Sequence, residues 1–167
     1  MKKILSLTMV LAMLGTALTG CGSKDAAAKT PAESTRQTAP ARQEQSQTEK
    51  ALALINTFAT GDTDTARSLL ADGYIQHNLA YGTGADAFVG SVEYLASADV
   101  KTTVNNIRAF EGGDKVFLQT VYNFSGAGEQ VAFDIFRFDE NGKIAEHWDV
   151  METIADQSTW QNQNGKF

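Results

Sequence analysis

Residues 132–151 read AFDIFRFDENGKIAEHWDVM, two runs rich in aromatic and branched residues on either side of a turn sequence. The pattern predicts a β-hairpin whose loop is Asp139–Gly142, because turn residues separate two stretches of strand-forming residues. Antiparallel pairing across this loop places Asp134 opposite His147, and directly opposed residues share a face of the sheet. One face of the hairpin then carries Asp134, Phe136, His147 and Asp149.

The second face of the hairpin is also rich in apolar residues. It carries Val131, Phe133, Ile135, Arg137, Ile144, Glu146, Trp148 and Val150. A sheet with one solvated face normally has one polar face, so we expect one side to line the interior and the other to meet another subunit. We therefore expect a homodimer through the sheet, with Arg137 and Glu146 close enough diagonally to pair.

The chain before this hairpin changes from helical to strand patterns. A capping box at Ser46–Glu49 opens a first helix that ends at Gly61, and two further helices follow, with a short strand at 74–78 between them. Later strands are expected at 104–110, 116–124, 131–138 and 143–151. Three helices followed by three consecutive hairpins predict an α+β domain in which helices pack on one face of a curved antiparallel sheet.

The first 20 residues indicate a targeting segment rather than part of the fold. Lys2 and Lys3 precede a mostly apolar run at 4–18, which is too short for a transmembrane helix of about 20 residues. The run ends in Leu-Thr-Gly-Cys, which resembles a lipobox, so we interpret residues 1–20 as a lipoprotein signal peptide and Cys21 as the lipidated residue. Cys21 is the single cysteine, and therefore no disulfide can form within the monomer.

Residues 21–48 are interpreted as a tether and residues 49–167 as the globular domain. After Cys21 the tether contains no large apolar residue and holds both prolines of the chain, a composition that cannot bury enough surface to fold. We expect the protein to be lipid-anchored in the cell envelope, on the outer membrane if the cell has two membranes, with its domain outside the cytoplasm. The chain's net charge of −6 argues against nucleic acid as a partner.

Three short stretches carry a resemblance to a known family. Tyr74–Asn78, Asp134–Arg137 and Glu146–Val150 resemble the polyketide-cyclase-like (SnoaL-like) branch of the nuclear transport factor 2-like superfamily, over roughly residues 49–167. The resemblance implies a cone, in which three helices pack on the concave face of a strongly curved antiparallel sheet and enclose a deep pocket. It also implies a dimer packed through the sheet.

A second similarity concerns the strand and turn that begin at Asp134. This stretch is similar to that of ketosteroid isomerases, where the matching aspartate stays protonated and donates a hydrogen bond to an oxyanion. In the same comparison His77 falls near the position of the isomerase's general base. The hairpin pairing puts three polar residues on one face, and the resemblance to the SnoaL-like branch implies that residues 74–78 reach the mouth of the cavity. We therefore expect five polar residues to converge on one cavity: His77, Asn78, Asp134, His147 and Asp149.

Two functions of this cavity stay open at the level of sequence. As an enzyme, the protein would use His77, Asp134, His147 or Asp149 for cofactor-free acid–base chemistry next to a carbonyl, in an aldol-type cyclisation or an isomerisation. As a binding protein, it would hold a small, partly apolar molecule without changing it. In either case Tyr74, Asn78 and Phe136 are the expected ligand-binding residues.

No cofactor is expected, and no residue is assigned as a metal ligand. His147 and Asp149 project to one side of their strand, and with His77 they could complete a set of two histidines and one carboxylate. Such spacing is common by chance. The sequence has no Gly-rich phosphate loop and no CxxC pair from which cofactor chemistry could be argued.

Overall fold

The computed structural model describes residues 44–167, so the segment expected to be a signal peptide, Cys21 and most of the expected tether lie outside the described residues. The three helices are α1 (Gln47–Thr60), α2 (Thr63–Leu69) and α3 (Ala85–Ser97). The five strands are β1 (Leu70–Gln76), β2 (Thr103–Gly112), β3 (Lys115–Asn123), β4 (Glu129–Phe138) and β5 (Ile144–Thr153). Within this part of the chain, no helix is long and apolar enough to cross a membrane.

Helix α1 begins and ends at the predicted signals. The Ser46 hydroxyl accepts a hydrogen bond from the Glu49 amide at 3.1 Å, and the Glu49 carboxylate accepts one from the Ser46 amide at 2.7 Å. These two bonds satisfy donors that a helix N-terminus otherwise leaves unpaired. At the other end Gly61 has a φ of 75°, and a Cβ there would lie 2.8 Å from the Cβ of Ala96. Glycine therefore allows α1 to end close against α3.

The strands form one open, curved sheet in the order β1-β5-β4-β3-β2. Strands β2 to β5 are joined by consecutive antiparallel hairpins, whereas β1 pairs with β5 in parallel. The helices cover one face, and the core between helices and sheet includes Leu54, Val92, Leu118, Phe136 and Ile144. The predicted α+β class, with three N-terminal helices on a curved and mainly antiparallel sheet, is confirmed.

Strand β1 differs from the short strand expected at 74–78. It begins at Leu70, directly after α2, and ends at Gln76. Beyond that point hydrogen bonds to side chains replace those between strands. The Gln76 backbone amide donates to the Thr83 hydroxyl at 3.1 Å, and the Asn78 backbone amide donates to the Gln76 side-chain oxygen at 3.0 Å. The chain therefore turns away from the sheet after His77, whose amide makes the last bond, to the His147 carbonyl.

The register of the β4–β5 hairpin also differs from the prediction. Asp134 lies opposite Asp149, not opposite His147, because Phe138 pairs with Ile144 instead of Lys143 and Ala145 then forms a bulge. Ile144 shares the face of Phe138 and is fully buried in the core, so its assignment to the second face was wrong. The two one-residue shifts together restore the alternation beyond the bulge, and the predicted face of Asp134, Phe136, His147 and Asp149 survives.

Candidate functional site

A cavity of about 630 Å³ lies between the helices and the inner face of the sheet. Aromatic rings form much of its wall, including those of Phe58, Phe88, Phe124 and Phe136. Its polar wall comes from the inward positions of β1, β3, β4 and β5. We call these six residues the polar cluster: Tyr74, Gln76, Tyr122, Asp134, His147 and Asp149. An apolar cavity with a few convergent polar groups is the usual form of a small-molecule site.

Asp134 and His147 form the buried centre of the polar cluster, with 4% and 7% of their surfaces exposed. His147 Nε2 lies 3.2 Å from one oxygen of Asp134, and the Tyr122 hydroxyl donates to the other oxygen at 2.9 Å. The imidazole stacks on the ring of Phe136, with centroids 4.4 Å apart. Both carboxylate oxygens thus accept hydrogen bonds from buried donors.

The side chain of Gln76 decides which nitrogen of His147 carries the proton. Because the Gln76 oxygen accepts from the Asn78 amide, its nitrogen must face the ring, and it lies 3.0 Å from His147 Nδ1. An amide nitrogen only donates, so Nδ1 is the acceptor and the proton of the neutral ring is on Nε2, directed at Asp134. Both nitrogens of His147 are therefore already engaged.

Asp149 is the carboxylate of the polar cluster that keeps a free oxygen. Its Oδ1 accepts a hydrogen bond from the Asn78 side-chain amide at 2.6 Å. Within residues 44–167 its second oxygen has no hydrogen-bond partner. Burial raises the pKa of Asp149 above its ordinary value, and nearby Asp134 raises it further, while His147 and the Asn78 hydrogen bond act in the opposite direction. Asp149 is therefore a stronger base than an exposed aspartate.

Two phenols of the polar cluster remain protonated. Burial raises the pKa of Tyr74 far above its ordinary value, and the charges of Asp149 and Asp134 raise it further. The pKa of Tyr122 is raised by burial and by the Asp134 carboxylate. Both hydroxyls consequently act as neutral hydrogen-bond donors over the physiological pH range.

His77 lies outside the cavity, and the expectation that it converges with the other residues was wrong. Its ring stacks on Trp148 with centroids 4.5 Å apart, and its Nε2 lies 3.1 Å from Glu146, which also pairs with Arg137. All three partners belong to the second face of the hairpin. Alternation along the strand explains the placement, since it turns Tyr74 and Gln76 inward and His77 outward.

The other predicted residues lie at or behind the cavity wall. Tyr74, Asp134, Phe136, His147 and Asp149 line it directly. Asn78 is not among the lining residues, but its side-chain amide donates a hydrogen bond to Asp149. Asp134 does not fit the protonated-donor role implied by the isomerase resemblance, because both of its oxygens accept.

Sequence reasoning missed Gln76 and Tyr122. The signal for Gln76 was its position two residues after Tyr74, which places the two side chains on the same face of a strand. The signal for Tyr122 lay in the pairing of β3 with β4. Leu118 lies opposite Asp134 and points to the interior, and Tyr122, four residues later on the same strand, points the same way. Gln76 lies within the stretch Tyr74–Asn78 that carries the family resemblance, but the histidine beside it was taken as the site residue, and Tyr122 lies in none of the three stretches.

Asp134, His147 and Asp149 offer ligand atoms within 4.8 Å of one another, a spacing compatible with a metal ion. Asp134 thus takes the place in such a set that we expected for His77. A cation bound to Nε2 of His147 would have to displace the proton that the Gln76 contact assigns to that nitrogen. We therefore assign no metal to this cluster.

Comparison with known proteins identifies the family. A family model of the SnoaL-like domain matches residues 51–147, and no curated protein matches the sequence. An NTF2-like protein of unknown function from Cytophaga hutchinsonii is similar at 17% identity and a TM-score of 0.56, over 66% of this chain and 95% of that one.

Two further solved structures resemble the chain. IdmH from Streptomyces antibioticus, a proposed polyketide cyclase, has 19% identity and a TM-score of 0.52, over 65% of this chain and 93% of its own. An LEH-like epoxide hydrolase of M. tuberculosis has 17% identity and a TM-score of 0.56, over 64% and 82% of the two chains. At these identities the structures establish the shared fold, and the family match, which spans more than half of the sequence, shows that this chain belongs to the SnoaL-like domain family.

Proposed function

We propose that the cavity binds a small, uncharged, partly apolar carbonyl compound and that Asp149 removes a proton from the carbon next to the carbonyl. The observation that carries this proposal is the state of Asp149. It faces an aromatic cavity, and one of its oxygens accepts a hydrogen bond from Asn78. The other oxygen has no partner among the described residues, and burial raises the pKa of the carboxyl. A general base must reach the substrate proton and must be basic enough to take it.

The chemistry needs no cofactor. The Asp149 carboxylate takes a proton from carbon, and the electrons of the C–H bond move to the carbonyl oxygen and form an enolate. In an isomerisation, the Asp149 carboxyl returns the proton to another carbon. In an aldol-type cyclisation, the enolate carbon attacks a second carbonyl of the same molecule, and the resulting alkoxide takes up the proton.

The charge of the cavity supports an uncharged ligand. Two carboxylates, Asp134 and Asp149, line it, and no Lys or Arg is among its described lining residues. A carboxylate or phosphate group on a ligand would meet like charge without a compensating cation, which is costly in an apolar cavity. The similarity to a proposed polyketide cyclase agrees with a carbonyl substrate, but fold alone does not determine a reaction.

The test is enolisation of 2-tetralone, an uncharged bicyclic ketone. We expect the protein to accelerate exchange of the hydrogens flanking the carbonyl for deuterium, followed by proton NMR in D₂O. The anion 2-naphthoate, of similar size, should bind much more weakly. Saturable binding of 2-tetralone without accelerated exchange would favour the second function, a non-catalytic ligand-binding protein, and would refute catalysis on this ketone.

We further propose that the protein is anchored in the cell envelope by a lipid on Cys21, with the domain outside the cytoplasm. The sequence of residues 1–21 supports this proposal. Cys21→Ser should move the protein from the membrane fraction to the soluble fraction or stall its processing, as followed by immunoblotting of fractionated cells. A variant that matures normally and stays with the membranes would refute lipidation at Cys21.

We also propose a homodimer through the outer sheet face. That face leaves Phe133 55% exposed, beside the exposed side chains of Phe117 and Val150. Phe133→Glu should shift the sedimentation of the purified protein from dimer to monomer, because it places a charge in the apolar contact. Leu79→Glu, at a position 99% exposed and off the sheet, is the matched control and should leave the dimer intact. A wild-type monomer at high micromolar concentration would refute the proposal.

A further inference from the structure

Tyr74 occupies a buried position in the cavity wall, with 2% of its surface exposed. Its ring packs edge-on against Phe88, with centroids 6.0 Å apart and an interplanar angle of 86°. Its hydroxyl oxygen accepts a hydrogen bond from the Gln76 side-chain nitrogen at 3.4 Å. Within the described part of the chain, the hydroxyl hydrogen has no acceptor of its own.

The neighbouring side chains fix this arrangement. The side-chain amide of Gln76 has a fixed orientation, because its oxygen accepts from the Asn78 backbone amide and its nitrogen donates to His147 Nδ1. Gln76 can therefore only donate to Tyr74, which leaves the phenol oxygen as acceptor and its hydrogen unused. A buried donor without a partner costs free energy, and an acceptor on a ligand would recover it.

The other donors of the polar cluster are already engaged. The Tyr122 hydroxyl and Nε2 of His147 both donate to Asp134. The two side-chain amide hydrogens of Gln76 are donated to His147 and Tyr74. The Tyr74 hydroxyl is consequently the member of the cluster that can donate to a ligand without breaking an existing bond.

We infer that Tyr74 is a catalytic residue, the donor that binds the carbonyl oxygen of the substrate and stabilises the oxyanion formed when Asp149 takes the neighbouring proton. This inference rests on the proposed function. In the ground state the hydroxyl donates to a neutral carbonyl oxygen. As the C–H bond breaks, charge develops on that oxygen and the same hydrogen bond becomes stronger, which is how a preorganised donor lowers a barrier. The proton of Tyr74 stays on its own oxygen throughout.

The electrostatics of the site agree with this role. Burial and the charges of Asp149 and Asp134 raise the pKa of Tyr74, so its hydroxyl remains protonated while Asp149 is ionised. The base and the donor are therefore in their required states over the same pH range. The donor and the base both line this one cavity.

The test compares Tyr74→Phe with wild type on 2-tetralone labelled with ¹³C at the carbonyl carbon. In the wild-type complex the carbonyl resonance should move downfield, as a hydrogen bond requires, and Tyr74→Phe should abolish this shift and slow exchange about 100-fold or more. Thr103→Val, which removes an exposed hydroxyl from β2 outside the cavity, should leave both within about twofold. Circular dichroism melts check that Tyr74→Phe folds.

A second variant retains the hydroxyl and tests the same bond. Tyr74→3-fluorotyrosine is a stronger donor and should move the carbonyl resonance further downfield than wild type does. A Tyr74→Phe variant that keeps both the shift and the exchange rate would overturn the assignment of Tyr74, even with the proposed function intact. A Tyr74-dependent shift in a wild-type protein that does not catalyse exchange would instead refute the proposed function and support Tyr74 as the carbonyl donor.

Discussion

Asp149→Asn should reduce deuterium exchange of 2-tetralone about 100-fold or more while leaving the fold intact. The introduced amide cannot take a proton from carbon, and general-base catalysis typically contributes about 10²–10⁴-fold. Its side-chain oxygen can still accept the hydrogen bond from Asn78, so the local structure should persist. Proton NMR gives the exchange rate, and binding of 2-tetralone should change little, which separates a lost base from a lost pocket.

The same substitution should change how stability depends on pH. Because burial raises the pKa of Asp149 in the folded state, the folded protein holds this proton more tightly than the unfolded chain does. The free energy of unfolding therefore falls as pH rises from the unfolded pKa through the raised folded value. Asp149→Asn removes this loss. The free energy of unfolding of the variant minus that of wild type should therefore be larger at pH 7 than at pH 4, as measured by urea titrations.

Asp72→Asn provides the control for the exchange measurement. Asp72 is an exposed carboxylate on β1, outside the cavity. Its substitution should leave the exchange rate unchanged. If Asp149→Asn retained wild-type exchange, the base would have to be another group, and the proposed role of Asp149 would be wrong.

The fold could be predicted from the sequence because its signals are local. The capping box at Ser46–Glu49 and Gly61 mark the two ends of α1, and alternation marks the strands. The hairpin prediction missed the pairing of Phe138 with Ile144 and the bulge at Ala145, since a single extra residue in a turn or strand has no characteristic composition. The inward face of the hairpin was still correct, because two shifts of one residue leave the alternation unchanged.

The site could be predicted only in part, because it depends on contacts between distant strands. Asp134, His147 and Asp149 lie on one hairpin, where a turn fixes their relation. His77 attracted attention as an ionisable residue, but its neighbour Gln76 has the inward position. Gln76 is uncharged and unremarkable in sequence, and its importance follows from hydrogen bonds to His147, Tyr74 and Asn78 that only the folded chain brings together.

Asp134→Ala should destabilise the protein severely, by about 2–6 kcal/mol, since it leaves two buried donors, the Tyr122 hydroxyl and Nε2 of His147, without their acceptor. Each buried group that loses its partner costs roughly 1–3 kcal/mol. A domain of this size has a total stability of about 5–15 kcal/mol, so the loss should be visible as a large shift in the urea midpoint.

A double-mutant cycle with Tyr122→Phe distinguishes unpaired donors from a simple loss of packing. In wild type, Tyr122→Phe removes a satisfied hydrogen bond and should destabilise the protein by about 1 kcal/mol. In the Asp134→Ala background the same change removes an unpaired donor and should cost less or restore stability, giving a coupling energy of about 0.5–3 kcal/mol. Additive effects, or an Asp134→Ala variant within about 0.5 kcal/mol of wild type, would show that Asp134 does not serve as the shared acceptor at the centre of the polar cluster.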